Sequence, residues 1–398
     1  MANRYQGGIL GAGFNPLRAP NAPTIGTASE GNASATVAFT APANVGGSAI
    51  TGYTALSNPG GVGGAAASSP VTVSGLTNCT AYTFGVFALN SYGPSPISAF
   101  SNSVSPRSDG TLGIFALGAT SGGVAATRNK YTYSGDVVSA GGAATVASYL
   151  GAATGNSVVG IFALGLAPSA ASTTRNKYTY STCAVSAGGA STATTQQGSA
   201  AGNSTVGIFA LGLVGCSGST TRNKYTYAGC VVSAGGAATG ASYAGSATGN
   251  STVGIFALGN GGGTWSTTRN KYTYSGDVVS AGGAATTGSV FGAAAGNSTV
   301  GIFALGCAGG TRIATRDKYT YSGCAVSAGT AATVASARGS AAGNSVVGIF
   351  ALGCNGSTSV TTRNKYTYSG DVVSAGGAAT IAAAFGSAAS NGVSGVTI

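Results

Sequence analysis

The chain has 398 residues, of which 70 are glycine, and charged residues make up 6%, against about 25% in an ordinary soluble domain. It has no histidine and six acids, Glu30, Asp109, Asp136, Asp277, Asp317 and Asp371, which excludes a Ser–His–Asp triad, a Cys–His pair and any His-ligated metal site. Seventeen Lys and Arg give a net charge of +11, yet these charges form no run, and no apolar stretch reaches the roughly 18 residues that would cross a membrane as a helix.

Residues 1–19 are Gly-rich, with one Asn-Pro-Leu, and read as an extended N-terminal arm. They lack the continuous apolar core of a secretory signal, so cytoplasmic synthesis and free thiols are expected for the seven cysteines.

Residues 20–107 read as alternating strands between Pro- and Gly-containing turns: SATVAFTAP, SAITGYTAL, and the long stretch SPVTVSGLTNCTAYTFGVFALNSYGPSP. The segment GLTNCTAYTFGVFALN resembles a fibronectin type III domain, an Ig-like sandwich. The resemblance implies that Leu76 and Tyr82 occupy the tyrosine corner. It also implies that Phe39 stands where such domains often carry Trp.

From residue 108 to the end the sequence repeats. GIFALG begins at Gly113, Gly160, Gly207, Gly254, Gly301 and Gly348, always 47 residues apart. A variable loop follows each copy, then TRNKYTY with small variations, a turn, VSAG, a Gly/Ala/Thr-rich run and, before the next copy, Gly-Asn-Ser. Each unit reads as four short strands. GIFALG is apolar throughout, as in a strand covered on both faces. TRNKYTYS alternates, and its Arg and Lys stems are expected to cover sheet faces and reach water. A fourth, weaker strand (SYLGAA in the first copy) leads back to the next GIFALG. Four strands in 40–50 residues is the period of a propeller blade, with a linear solenoid as the rival. Gly395-Val396-Thr397-Ile398 restates the start of a seventh unit and is expected to meet the first blade. The repeats resemble kelch-type blades, although the Trp of that repeat is missing. The expected fold is therefore all-β: an Ig-like fibronectin type III sandwich followed by a six-bladed kelch-like β-propeller over residues 108–398.

Twelve of the positive charges lie in the repeated strand, from Arg128 and Lys130 to Arg363 and Lys365. Basic residues interleaved with tyrosine can bind nucleic acid. Their recurrence in all six copies points instead to a structural requirement, since a binding site normally breaks symmetry. Asp136, Asp277 and Asp371 share one position, where the other copies carry Cys183, Cys230 and Cys324. Acids spread so evenly do not give the pair roughly 5–10 Å apart that a glycosidase needs. The variable loops after GIFALG hold Trp265, the only tryptophan, and Arg312. These two are the candidate binding residues, as exposed anchors on one rim. No catalytic residue, metal or cofactor is expected.

Arm, sandwich and charge-poor repeat array together resemble virion proteins of tailed bacteriophages. That resemblance implies a non-enzymatic tail fibre, decoration or collar protein, present in multiple copies or as a homo-oligomer. It would bind other virion proteins through arm and sandwich and display the propeller to a host-surface glycan or protein. The alternative is a carbohydrate-binding surface protein of a bacterium; an enzyme with a propeller catalytic face is the remaining rival.

Overall fold

The computed structural model describes residues 18–391, apart from Asn32, Asn78, Cys79, Ser105, residues 107–110, Ser169 and Ser181. The arm up to residue 17, the Gly395–Ile398 segment and Cys79 therefore lie outside the described residues. Among the described residues the chain is all-β, with one short 3-10 turn at Ala228–Cys230. It divides into two compact units, residues 1–108 and 109–398.

The first unit holds two antiparallel sheets. Thr24–Gly31, Ser34–Thr40 and Val71–Ser74 form one, and Gly63–Ala66, Gly52–Asn58, Thr83–Asn90 and Gly93–Pro94 the other. Ser34–Thr40 and Gly52–Asn58 alternate buried and half-buried positions, so the period-two sequence pattern does set one face inward. Val37, Phe39, Tyr53, Val73, Leu76, Tyr82, Phe84 and Val86 belong to the resulting core. The Tyr82 hydroxyl accepts the Thr77 N–H at 3.2 Å, and Phe39 packs on Tyr53 with ring centroids 4.6 Å apart. Beyond Pro94, Ser95, Ser98 and Ser101 run along the sheet edge. Their hydroxyls accept the N–H groups of Ala88, Val86 and Phe84 at 2.9–3.1 Å.

The second unit consists of six four-stranded antiparallel sheets. The second sheet shows the pattern, with strand order Ala152–Gly155, Val159–Ala163, Arg175–Thr179, Ala184–Ala187. Its first strand comes from the end of one sequence repeat and the other three from the next. The first sheet lacks such a predecessor, and Ser387–Ser390 from the end of the chain pairs with Leu112–Ala116 to complete it. The six strands of the Ala152–Gly155 type neighbour one another in cyclic order, the last returning to the first. The strand that closes the ring is thus Ser387–Ser390, upstream of the segment expected from sequence.

Those six strands are the innermost and nearly all of their residues are buried, so the strand that looked weakest in sequence lies deepest. Only Gly, Ala, Ser and Thr fit there. The glycines of GIFALG have separate reasons. A Cβ on Gly160 would stand 2.9 Å from the Tyr180 hydroxyl, and Gly165, at φ +71°, would place one 2.5 Å from the Leu150 carbonyl oxygen.

The arginines of the repeated strand do not reach water. Arg128, Arg175, Arg222, Arg269, Arg316 and Arg363 are at most 1% exposed, which corrects the expectation of solvated heads. Both faces of this strand are inter-sheet faces, so its alternation has no wet side. Each guanidinium stacks on the GIFALG phenylalanine of the next sheet, 4.4–4.6 Å from the ring centroid. Each also donates across the same boundary: Arg128 to Asn176 Oδ1 at 3.1 Å, and so on round to Arg363, which reaches Asn129 at 3.1 Å. Burial lowers Arg128, Arg175, Arg222, Arg316 and Arg363 to a pKa of about 10, so they stay charged at neutral pH. In the fifth sheet Asp317 replaces the asparagine, and Arg269 meets it at 2.7 Å with both side chains fully buried.

Candidate functional site

Contacts that recur at all six boundaries make walls, not a site. In three of the six repeated strands the lysine pairs with the turn of the next sheet. Lys224 pairs with Asp277 at 2.9 Å, Lys318 with Asp371 at 2.8 Å and Lys365 with Asp136 at 2.8 Å. Burial alone would raise these carboxyls. The hydrogen bonds from lysine and tyrosine, with the lysine charge, outweigh it and hold all three below the usual carboxylate range. Asp136, Asp277, Asp371 and their counterparts Cys183, Cys230 and Cys324 all have φ of 52–56°, a left-handed turn that aspartate tolerates well. The shared position is an inter-sheet clasp.

The two ends of the ring differ. At one end five of the six sheets have the same Asn-Ser turn, and Asn156, Asn203, Asn250 and Asn297 each donate to a serine carbonyl of the next turn at 3.0–3.3 Å. At the other end lie the segments that vary. The expected rim loops are short hairpins here, such as Asn260–Gly261 with Thr264–Trp265 and Cys307–Ala308 with Thr311–Arg312. They stand beside the residues that lead into the innermost strands, for Tyr243 bridges to Asn260, Val290 to Cys307 and Ala337 to Cys354.

Directly after those bridges come Leu150, Gln197, Ala244, Phe291, Arg338 and Phe385, one per sheet. Their backbones form a closed circle of hydrogen bonds. The Leu150 N–H donates to the Phe385 carbonyl, Gln197 to Leu150, Ala244 to Gln197, Phe291 to Ala244, Arg338 to Phe291 and Phe385 to Arg338, all at 2.7–2.9 Å. All six adopt φ of 54–62°. For a residue with a Cβ that conformation costs about 1–2 kcal/mol, and glycine, so abundant in this chain, would remove the cost. The six residues all line one small pocket.

Arg338 is the one charged residue of the six. Its guanidinium lies 4.6 Å from the Phe385 ring centroid and 5.4 Å from that of Phe291, and those two rings meet edge to face at 6.1 Å. Its Nε and the Gln197 Oε1 are buried without a hydrogen-bond partner among the described residues.

Of the residues singled out from sequence, Arg312 belongs to this neighbourhood. It is half-buried, donates toward Cys354 Sγ at 3.7 Å, and flanks Cys307 together with Arg338. Burial raises the Cys307 thiol pKa although both arginines oppose it. Trp265 lies on the hairpin of the preceding sheet and is also half-buried, so neither residue is the fully exposed anchor expected. The six axial residues escaped the sequence reading. Their signal was there: a variable residue before an invariant Gly, in YLG, QQG, YAG, VFG, ARG and AFG.

No family model matches the sequence, and no curated protein is similar to it.

Proposed function

We propose that the protein is a non-enzymatic attachment protein. In this reading a fibronectin type III-like, Ig-like sandwich carries a six-bladed kelch-like β-propeller, and one end of the propeller recognises a partner. The observation that carries it is the division of labour within the repeats. Walls and Asn-Ser turns are nearly invariant, whereas at the other end the hairpins differ in every copy and the six axial positions carry five residue types. Drift alone explains variable surface loops. It does not explain five different side chains at six positions held in a left-handed conformation, a strain that marks functional positions.

A non-catalytic role agrees with the use of the acids: Asp136, Asp277, Asp371 and Asp317 are each committed to a lysine or arginine. The setting proposed is the virion of a tailed bacteriophage, as a tail fibre, decoration or collar protein made in the host cytoplasm. The arm and sandwich would hold other virion proteins, and the ring would face a host glycan or protein. The axial pocket also suits the second reading, a carbohydrate-binding surface protein of a bacterium.

Electron microscopy of purified particles, with the protein labelled at one terminus, tests the setting. Multiple copies at a defined place on the particle are expected. Recovery only as free monomer from cytosol refutes the virion reading, and a glycan-array signal without particle association favours the second.

A further inference from the structure

We propose that the axial pocket binds the carboxylate of an acidic sugar, with Arg338 as the residue that receives it. The inference rests on the recognition reading above and names its ligand chemistry. The Arg338 guanidinium has neither an ion pair nor a hydrogen bond to any described residue, yet it is held in place between Phe291 and Phe385. A planar fork fixed in advance loses little freedom on meeting a carboxylate, which it can bind through two parallel hydrogen bonds. The six arginines of the repeated strand each donate across a sheet boundary to an asparagine or to Asp317; Arg338 has no such acceptor and is the arginine that lines the pocket.

The remaining walls suit a sugar. The pocket is small and lined by one residue from each sheet and the glycine after it, which suits a carboxylate carried on a single small ring better than a polypeptide segment. Leu150, Phe291 and Phe385 offer apolar surface to the C–H face of a sugar. Gln197 Oε1, lacking a partner, offers an acceptor to a hydroxyl. Arg312, close enough to Cys307 to act on the same thiol as Arg338, adds positive potential at the pocket's edge.

The test uses the full chain and NMR-detected titration with glucuronate, glucose and inorganic phosphate, alongside a peptide with a free C-terminal carboxylate. Glucuronate should bind at least tenfold more tightly than glucose or phosphate. Arg338→Gln should lose at least tenfold, Arg338→Lys should retain part of the affinity, and Arg312→Gln should lose only a few-fold. Because the Arg338 side chain makes no hydrogen bond or ion pair to a described residue and its backbone bonds are kept by glutamine, Arg338→Gln should leave the melting temperature within about 2 °C, which separates lost binding from lost folding. Equal binding of glucose and glucuronate, undiminished binding by Arg338→Gln, or preference for the peptide overturns the inference. If every sugar acid fails while the wild-type chain still attaches to its target and Trp265→Ala with Arg312→Ala abolishes attachment, the recognition reading survives and the acidic-sugar inference falls.

Discussion

Asp317 offers the sharpest test of how the ring is held together, because the molecule supplies its own controls. Five sheets place asparagine where this one has aspartate. In those, the asparagine Oδ1 accepts an arginine from the preceding sheet and a threonine N–H, and its Nδ2 donates to the threonine hydroxyl, as Asn176 does to Thr145 at 2.8 Å. Asp317 accepts throughout, including from the Thr286 hydroxyl at 2.6 Å. Asp317→Asn therefore needs only a rotation of that hydroxyl from donor to acceptor. The lost attraction, about 4 kcal/mol for charges 4 Å apart at an effective dielectric of 20, is offset by removing a buried carboxylate whose desolvation costs several kcal/mol. The expected change is within about 1 kcal/mol. Asp317→Ala differs in kind. Arg269 Nη1 and Nε have no other partner, whereas Arg128, Arg175, Arg222 and Arg363 also donate to a glycine carbonyl. Stranding that cation should cost about 3–5 kcal/mol. Urea unfolding followed by tryptophan fluorescence suits the measurement, since Trp265 is the single tryptophan and reports on the ring unit alone. A loss above about 2 kcal/mol for Asp317→Asn, or equal losses for the two variants, refutes the reasoning.

Three further outcomes follow from the same geometry. Cys230→Asp should complete a clasp between Lys177 and the adjoining sheet and add about 0.2–1 kcal/mol at neutral pH, the range of partly exposed pairs. Since such carboxyls titrate below their unfolded value, that gain should disappear as pH falls through about 4 and below, as measured by urea midpoints at pH 7 and 3. Burial raises the pKa of all twelve repeat tyrosines, from Tyr131 to Tyr368. The folded state therefore keeps protons that the unfolded chain releases near pH 10, and stability is intact below that pH and lost above it. Absorbance at 295 nm should show those tyrosines ionising only together with unfolding; smooth titration of a folded chain near pH 10 contradicts their burial. Gln197→Gly should relieve its left-handed strain and stabilise the ring by about 1 kcal/mol while weakening ligand binding, a trade that thermal melting and titration together reveal.

Much of this was legible in the sequence. The 47-residue period set the sheet count, and the alternation in SATVAFT and SAITGYTAL of the first unit became real inward faces. Two misreadings share a physical cause. TRNKYTY alternates like a half-wet strand, but in a ring every sheet is packed on both sides, so the arginine side had to be buried against phenylalanine. The innermost strands read as weak because hydrophobic mass is the usual sign of depth, and at the centre of the ring only small residues fit. The axial site was missed because its signal is one variable residue per repeat, and its meaning depends on six positions 47 residues apart converging on a single circle.

The most direct measurement is hydroxyl-radical footprinting of the protein in its native assembly against the free chain. Protection should fall on the hairpins around Trp265 and Arg312 and on Phe291, Arg338 and Phe385. Protection confined to the Asn-Ser turns at the opposite end, with the axial residues fully reactive, contradicts the claim that the variable end is the recognition surface.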